Sequence, residues 1–289
     1  MLLVPVQSQA AGLDVLLVLS GDAKPYQEFA ATYRQNLPAG IDVIQLENME
    51  ALPEAEKKAG LIVTVGVRAG EWVASHTEKP VLAAMLPSYK YDEIRAQHHS
   101  GAPFSAIFVD QPWTRQVSLI RAALPGFRKI GVLRSPDDGL DMTELHALLR
   151  KQGDVLVERV MEPDASLFTN LSDVLSQSDV LLAMPDGAIY NGSNIRNILL
   201  SSYRQRVPLI GLSQAYVNAG ALCAVYSTPE DLALQASAAT AGFARNRRLP
   251  GAQFPRFYSV AVNREVAMML GIRIHSAEQL KQQIEQAEK

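Results

Sequence analysis

Short apolar runs alternate with longer stretches of helical period along almost the whole chain. "LDVLLVLS" (13–20) is a short apolar run that predicts a strand. The segment after it, "KPYQEFAATYRQNL", sets Phe29, Tyr33 and Leu37 four apart and predicts an amphipathic helix. Further strands are predicted at "IDVIQL" (41–46), "GLIVTVG" (60–66), "KPVLAAML" (79–86) and "FSAIFV" (104–109). "PWTRQVSLIRAAL" predicts a helix with Val117, Ile120, the stem of Arg121 and Leu124 on one face and Pro112 in its first turn.

The pattern then restarts. "RKIGVLRS" (128–135) is a strand running into a Ser-Pro-Asp-Asp-Gly turn. "MTELHALLRKQG" is a helix with Met142, Leu145, Leu148 and Leu149 inward and Gly153 as its stop. "DVLVERV" is a strand, and "SLFTNLSDVLSQ" repeats Leu167, Leu171, Val174 and Leu175 at helical spacing. Strands "DVLLAM", "VPLIGL" and "ALCAVYS" and helices "SNIRNILLSSYRQ" and "PEDLALQASAATAGFARN" complete the run. The halves match in order. "VLLVLSGDAKPY" answers to "IGVLRSPDDGLD", "LIVTVGVRAGEW" to "VLLAMPDGAIYN", "KPVLAAMLPSY" to "VPLIGLSQAY", and "SAIFVDQPW" to "CAVYSTPED". Strand–helix alternation of this kind gives a parallel sheet flanked by helices. The expected fold class is therefore α/β, with two Rossmann-like lobes. Residues 13–110 plus 227–256 form the first lobe and 111–226 plus 257–289 the second. "FVDQPW", "VYSTPED" and "PRFYSVAVN" are the expected crossings between them.

In a sheet wound this way, ligands bind outside the carboxyl ends of the strands, where helix N-termini present N–H groups. Two hinged lobes would make a cleft lined by those turns. Position alone nominates Ser20, Tyr26, Gly66, Val67, Arg68, Ser88 and Tyr89 on the first lobe. On the second it nominates Ser135, Asp186, Tyr190, Asn191, Ser213, Gln214 and Tyr216, with Tyr226 at a crossing. Each has a plainer reading beside the functional one. Ser20, Ser135 and Ser213 can cap the following helix. Asp186-Gly187 is a turn-forming pair, and the tyrosines can simply pack.

Composition narrows this little further. The 289 residues, 48% hydrophobic and 20% charged, suit a two-lobed globular protein. A net charge of −3 gives no electrostatic reason to expect nucleic acid or an anionic membrane as partner. Arg245, Arg247 and Arg248 read as a solvated turn before Pro250. The lone Cys223 forms no internal disulfide and sits in an apolar run. "MLLVPVQSQAAG" resembles the tail of a secretory signal, with small residues around Gln9-Ala10, so residues 1–12 are expected to be a signal-peptide remnant or disordered. No segment approaches the roughly 18 apolar residues of a membrane span. Catalytic signals are thin. "GLSQA" (211–215) nears a nucleophile elbow but lacks its last glycine. His98-His99 completes no metal-ligand spacing, and neither a Gly-x-Gly-x-x-Gly nor a Walker loop occurs, so no cofactor is expected.

From "VSLIRAALPGFRKIGVLRSPDD" through "DVLLAMPDGAIYN", "VPLIGLSQAYVNAGALCAVYSTPEDLALQASA" and "FYSVAVNREVAMMLGI", the chain resembles ABC-transporter substrate-binding proteins related to the tryptophan- and tyrosine-binding members. The resemblance spans about Leu13 to Ile272 and implies a periplasmic-binding-protein fold of the first type with a three-crossing hinge. It also implies a non-catalytic, periplasmic protein that closes on a small molecule and delivers it to an ABC permease. The motifs depart from the family in places. Gly66-Val67-Arg68-Ala69 stands where Gly-Thr-Pro-Ala is usual, and Met184-Pro185-Asp186-Gly187 keeps only the Asp of Pro-Thr-Asp-Asn. Leu86-Pro87 stands where Asp-Pro is usual. For an amino-acid ligand the resemblance implies Asp186 on the ammonium. N–H groups near Val67 and Ser88, with Arg68, would take the carboxylate, and Tyr89, Tyr190 or Tyr216 would flank the side chain. A ligand sensor of the same fold remains the alternative, and a hydrolase on an α/β scaffold a more distant one.

Overall fold

The computed structural model of the chain describes residues 12–46, 48–99, 101–136, 138–161 and 166–288. The segment read as a signal remnant lies, apart from Gly12, outside the described residues. The chain divides into two compact units, Met1–Val109 with Thr228–Phe257 and Asp110–Ser227 with Tyr258–Lys289, so it passes from one to the other three times.

The elements up to the first crossing are β1 (Leu13–Leu19), α1 (Lys24–Gln35), β2 (Ile41–Leu46), α2 (Leu52–Ala55), β3 (Leu61–Val65), α3 (Val67–His76), β4 (Val81–Leu86), α4 (Tyr91–Gln97) and β5 (Phe104–Phe108). Then follow α5 (Trp113–Ala123), β6 (Lys129–Arg134), α6 (Thr143–Lys151), β7 (Val155–Val160), α7 (Leu167–Gln177), β8 (Val180–Leu182), α8 (Ile195–Arg204), β9 (Leu209–Gly211), α9 (Gln214–Ala219) and β10 (Cys223–Tyr226). The chain ends with α10 (Pro229–Asn246), β11 (Ser259–Val262), α11 (Arg264–Leu270) and α12 (Ala277–Ala287).

The first unit's sheet has the order β2-β1-β3-β4-β5, with every pairing parallel. β3 lies in the middle and all five of its residues are buried, as an apolar run covered on both faces must be. Alternate residues of β1 serve the two faces. Leu13, Val15, Leu17 and Leu19 pack with Phe29 and Tyr33 of α1 and Leu232 and Phe243 of α10. Leu16 and Val18 pack on the other face with Leu52 and Val73.

The helix α10 therefore completes the first unit although it follows five of the six strands of the second sheet. Its start is fixed by a capping box, in which the Thr228 hydroxyl accepts from the Asp231 N–H and the Asp231 carboxylate accepts from the Thr228 N–H. Inside the core, Tyr33 of α1 and Thr240 of α10 join their hydroxyls at 2.8 Å, both fully buried.

The second unit's sheet runs β11-β10-β9-β8-β6-β7. Strands β6 to β10 are parallel and repeat the order of the first sheet, while β11 joins β10 antiparallel. The apolar run "DVLLAM" yields only three strand residues, Val180–Leu182, all buried. Some sequence details shift. Pro112 occupies the N-cap of α5 rather than its first turn, and Leu148 and Leu167 are half-buried while Leu145, Leu149, Leu171 and Val174 are buried. Short helices curve their marginal positions away from the sheet, so only the centre of each apolar stripe is sealed. Among the described residues no helix is long and apolar enough to cross a membrane.

Removing one hydroxyl of the buried Tyr33–Thr240 pair leaves the other without its partner in an apolar core. Tyr33→Phe is expected to lower unfolding free energy by about 1–2 kcal/mol, read from the urea midpoint. An unchanged midpoint would show that α10 is held to α1 by packing alone.

Candidate functional site

The polar turns of each unit gather where its parallel strands end. In the first unit the chain leaves β3 through Gly66, whose φ of 87° lies in the left-handed region that glycine adopts without penalty. A Cβ there would sit 2.6 Å from the Ser20 hydroxyl oxygen and 2.9 Å from that of Tyr26, so the turns after β1 and β3 meet over this residue. Glycine also offers no side chain to cap the α3 N-terminus. Ser20 supplies the cap from the neighbouring strand, its Oγ accepting from the Ala69 N–H at 2.9 Å. Ser20 thus caps α3, not the helix that follows it, since Ala23 holds the N-cap of α1. Val67 and Arg68 form the first turn of α3, Val67 half-buried and Arg68 exposed.

One strand further on, Met85 has φ 53° where the β4–β5 register shifts. A left-handed methionine costs about 1–2 kcal/mol, and it turns the chain into a 3₁₀ turn, Ser88–Lys90, that presents Ser88 and Tyr89 half-buried. A groove of about 770 Å³ opens in this unit between the turns after β1 and β2 and one face of α3. Gly21 and Asp22, Gln45 and Asn48, and Arg68, Glu71 and Trp72 line it. The indole N–H of Trp72 is spent on the Met49 carbonyl at 3.2 Å. Sequence reasoning found Arg68 here but missed Glu71 and Trp72. Their spacing from Arg68, three and four residues, is the helical repeat that would have exposed them.

In the second unit Asp186 is buried at the end of β8. Its Oδ2 accepts from the Ser135 N–H at 2.6 Å and its Oδ1 from the Ala188 N–H at 3.0 Å. The carboxylate therefore ties the turn after β6 to the turn after β8. Beside it Asp138 accepts from Arg134 Nη1 at 2.5 Å and from the Leu140 N–H at 2.9 Å. Burial raises the Asp138 carboxyl above the ordinary range, Leu140 and Arg134 oppose the rise, and the charge of Asp186 adds to it. Its Oδ2 is buried without a hydrogen-bond partner among the described residues. Burial also drives the Tyr190 phenol well above its usual value.

The remaining nominees of the second unit form two bonded pairs, with Asn191 and Ser213 outside both. Tyr216 donates its hydroxyl to the Tyr190 carbonyl at 3.0 Å. Asn191 is consumed locally, its Oδ1 accepting from the Ser193 and Asn194 N–H groups at 3.0 and 3.1 Å. Tyr226 donates to Gln214 Oε1 at 2.8 Å, and Gln214 Nε2 donates to Asn218. Ser213 occupies the N-cap of α9 but makes no side-chain cap bond there. So Ser20, Tyr26 and Gly66 come together in one unit. In the other, Ser135 joins Asp186, Tyr190 joins Tyr216, and Gln214 joins Tyr226. Among the described residues no group of three or more His, Cys, Asp or Glu side chains could hold a metal ion.

Residues 47–282 match a family model described as ABC transporter substrate binding protein. Solved structures share the fold at low identity. The ABC domain of Streptococcus pneumoniae in complex with L-Trp is 18% identical, with a TM-score of 0.63, covering 93% of this chain and 98% of that one. A ligand-free, open substrate binding protein with adhesive properties from Clostridium difficile is 14% identical with a TM-score of 0.70, covering 92% and 97%. A conserved domain protein from Vibrio cholerae is 18% identical with a TM-score of 0.61, covering 94% and 98%. The architecture is that of type I periplasmic binding proteins, two α/β lobes with parallel-sheet cores. No curated protein matches the chain in sequence.

The bonds to Asp186 predict a cost that appears with no ligand present. Asp186→Asn would aim an amide N–H₂ at one of two N–H donors, and is expected to destabilise by about 2–3 kcal/mol in urea unfolding. Wild-type stability in that variant would mean that the two turns are not held through this carboxylate.

Proposed function

Because the chain belongs to the ABC transporter substrate binding protein family, we propose that it is the extracytoplasmic binding component of an importer, taking one small molecule at the strand-end turns of its lobes and delivering it to a permease. The observation that carries this reading is the placement of polar groups at the carboxyl ends of both parallel sheets, where ligand sites of wound α/β sheets lie.

Within that reading an amino acid or a similar small zwitterion, with an aromatic side chain among the options, suits the groups present. The exposed Arg68 at the start of α3 offers a guanidinium and a helix N-terminus to a carboxylate. Asp186 holds two N–H donors, yet a carboxylate has about four acceptor positions, so an ammonium group can share it with Ser135 and Ala188. Tyr89 and Tyr216, both half-buried, supply flat faces for a ring. The L-Trp complex of the S. pneumoniae protein supports this ligand class. The departures at Val67 and Arg68 from the usual Thr-Pro pair remove a hydroxyl and add a cation, which favours an anionic group at that end of the ligand.

A thermal-shift screen of amino acids, nucleobases and small organic acids tests the reading. A true ligand at a hundred times its Kd adds about 2.7 kcal/mol, which raises Tm by about 4–5 °C for a chain of this size. Calorimetry with the hit should then lose tenfold or more in affinity in Arg68→Ala, on the scale of one charge-assisted bond of about 1.5–3 kcal/mol. A screen in which no amino acid shifts Tm, or a hit whose affinity ignores Arg68, would overturn the ligand assignment.

A further inference from the structure

All three crossings between the units are rooted in one cluster inside the second unit, buried at Gln111, Arg115 and Tyr258 and closed from its solvent side by Glu288 at the end of the last helix. The crossings fall at Val109–Asp110, Ser227–Thr228 and Phe257–Tyr258. Gln111, just past the first, donates its Nε2 to the hydroxyl of Ser227, the residue before the second, at 2.9 Å. Its Oε1 accepts from Arg115 Nη1 at 2.7 Å. The Arg115 guanidinium lies 3.9 Å from the ring centre of Tyr258, the first residue past the third crossing. Its Nε donates to Glu288 Oε1 at 2.6 Å, and Tyr258 donates its hydroxyl to the other Glu288 oxygen at 3.3 Å. Gln111, Arg115 and Tyr258 are all buried.

A guanidinium so placed has a planar donor fork and an aromatic-facing surface, and this cluster uses both. Buried in this way it needs a counter-charge, because an unpaired buried cation is costly. Glu288 supplies that charge from beyond the last turn of α12, a helix packed on α5 and β11. The carboxylate also fixes the direction of the Tyr258 hydroxyl. Burial pushes that phenol up to about 12, so it stays protonated and donating.

We propose that Arg115 and Glu288 form a clamp that sets the stiffness of the three crossings together, with the last helix as the element that tightens or releases it. Arg115 is a positioning residue in this scheme. Glu288 acts on the crossings only through it and Tyr258. The inference rests on contacts within the second unit and is independent of the ligand and the transport role.

Hydrogen exchange of the full chain, read by mass spectrometry on Glu288→Ala, Glu288→Gln and wild type, tests the clamp. A change at the end of α12 leaves the sheets intact, which far-UV circular dichroism checks. In Glu288→Ala, amides of peptides over residues 109–113, 225–229 and 256–260 are expected to exchange on the order of tenfold faster together, while peptides over β6 and β7 stay unchanged. Glu288→Gln keeps the acceptors without the charge and should fall between. To separate the clamp from simple fraying of α12, Ser276→Ala removes the capping box at the other end of that helix and should speed exchange within 277–287 alone. Faster exchange confined to α12 in Glu288→Ala, faster exchange at only one or two crossings, or no change at any of them would overturn the proposal.

Discussion

A parallel sheet brings the carboxyl end of every strand to one edge, and the backbone groups of the turns there must find partners. This constraint governs both units. Strand ladders satisfy the interior of each sheet, but the turn residues that follow have no regular partners. The chain meets the need with a few side chains that reach across from one strand's turn to the next. Ser20 caps α3 across the β1–β3 step, and Asp186 holds the Ser135 amide across the β6–β8 step. The two steps are equivalent, since β1 and β3 occupy in the first sheet the places of β6 and β8 in the second. One unit solves the problem with a hydroxyl and a glycine, the other with a carboxylate.

These residues are thereby committed before any ligand arrives. Asp186, Ser20 and Asn191 each hold local backbone, which fixes the turns in place and limits the bonds left to offer. Preorganisation of this kind lowers the ordering cost of binding. A group with more capacity to spare lies one step outward: Arg68 stands exposed on the first turn of α3, whereas the equally exposed Gln214 on α9 is already bonded to Tyr226 and Asn218.

Much of the fold was legible because most strands of both sheets are covered on both faces and read as nearly unbroken apolar runs, the half-exposed edge strands β2 and β7 excepted. The order of the elements followed from those runs and the helical stripes between them. What escaped was set by distance in the chain. Residues 227–256 were assigned to the first lobe, but nothing near Pro229 shows that α10 packs against α1 there, since Tyr33 and Thr240 are 207 residues apart. The antiparallel β11 was hidden because "SVAV" is short and only half-buried. At the site, position alone nominated the right edge of each sheet, but it could not divide structural from available side chains. Ser20 and Asp186 look alike as strand-end polar residues, and only coordinates show which backbone amide each one meets. Glu71 and Trp72 were missed because attention stayed on the turn and did not follow α3 outward.

The central claim is that the turns ending the parallel strands, in both units, are where this protein meets its ligand. Backbone amide NMR during titration with a compound that binds tightly reads this residue by residue. The account predicts the largest shift changes at residues 66–68, 88–89, 135, 186–191 and 213–216, with small changes along β2, β7 and the outer helix faces. Changes confined to one unit, or concentrated on helix surfaces away from these turns, would contradict it.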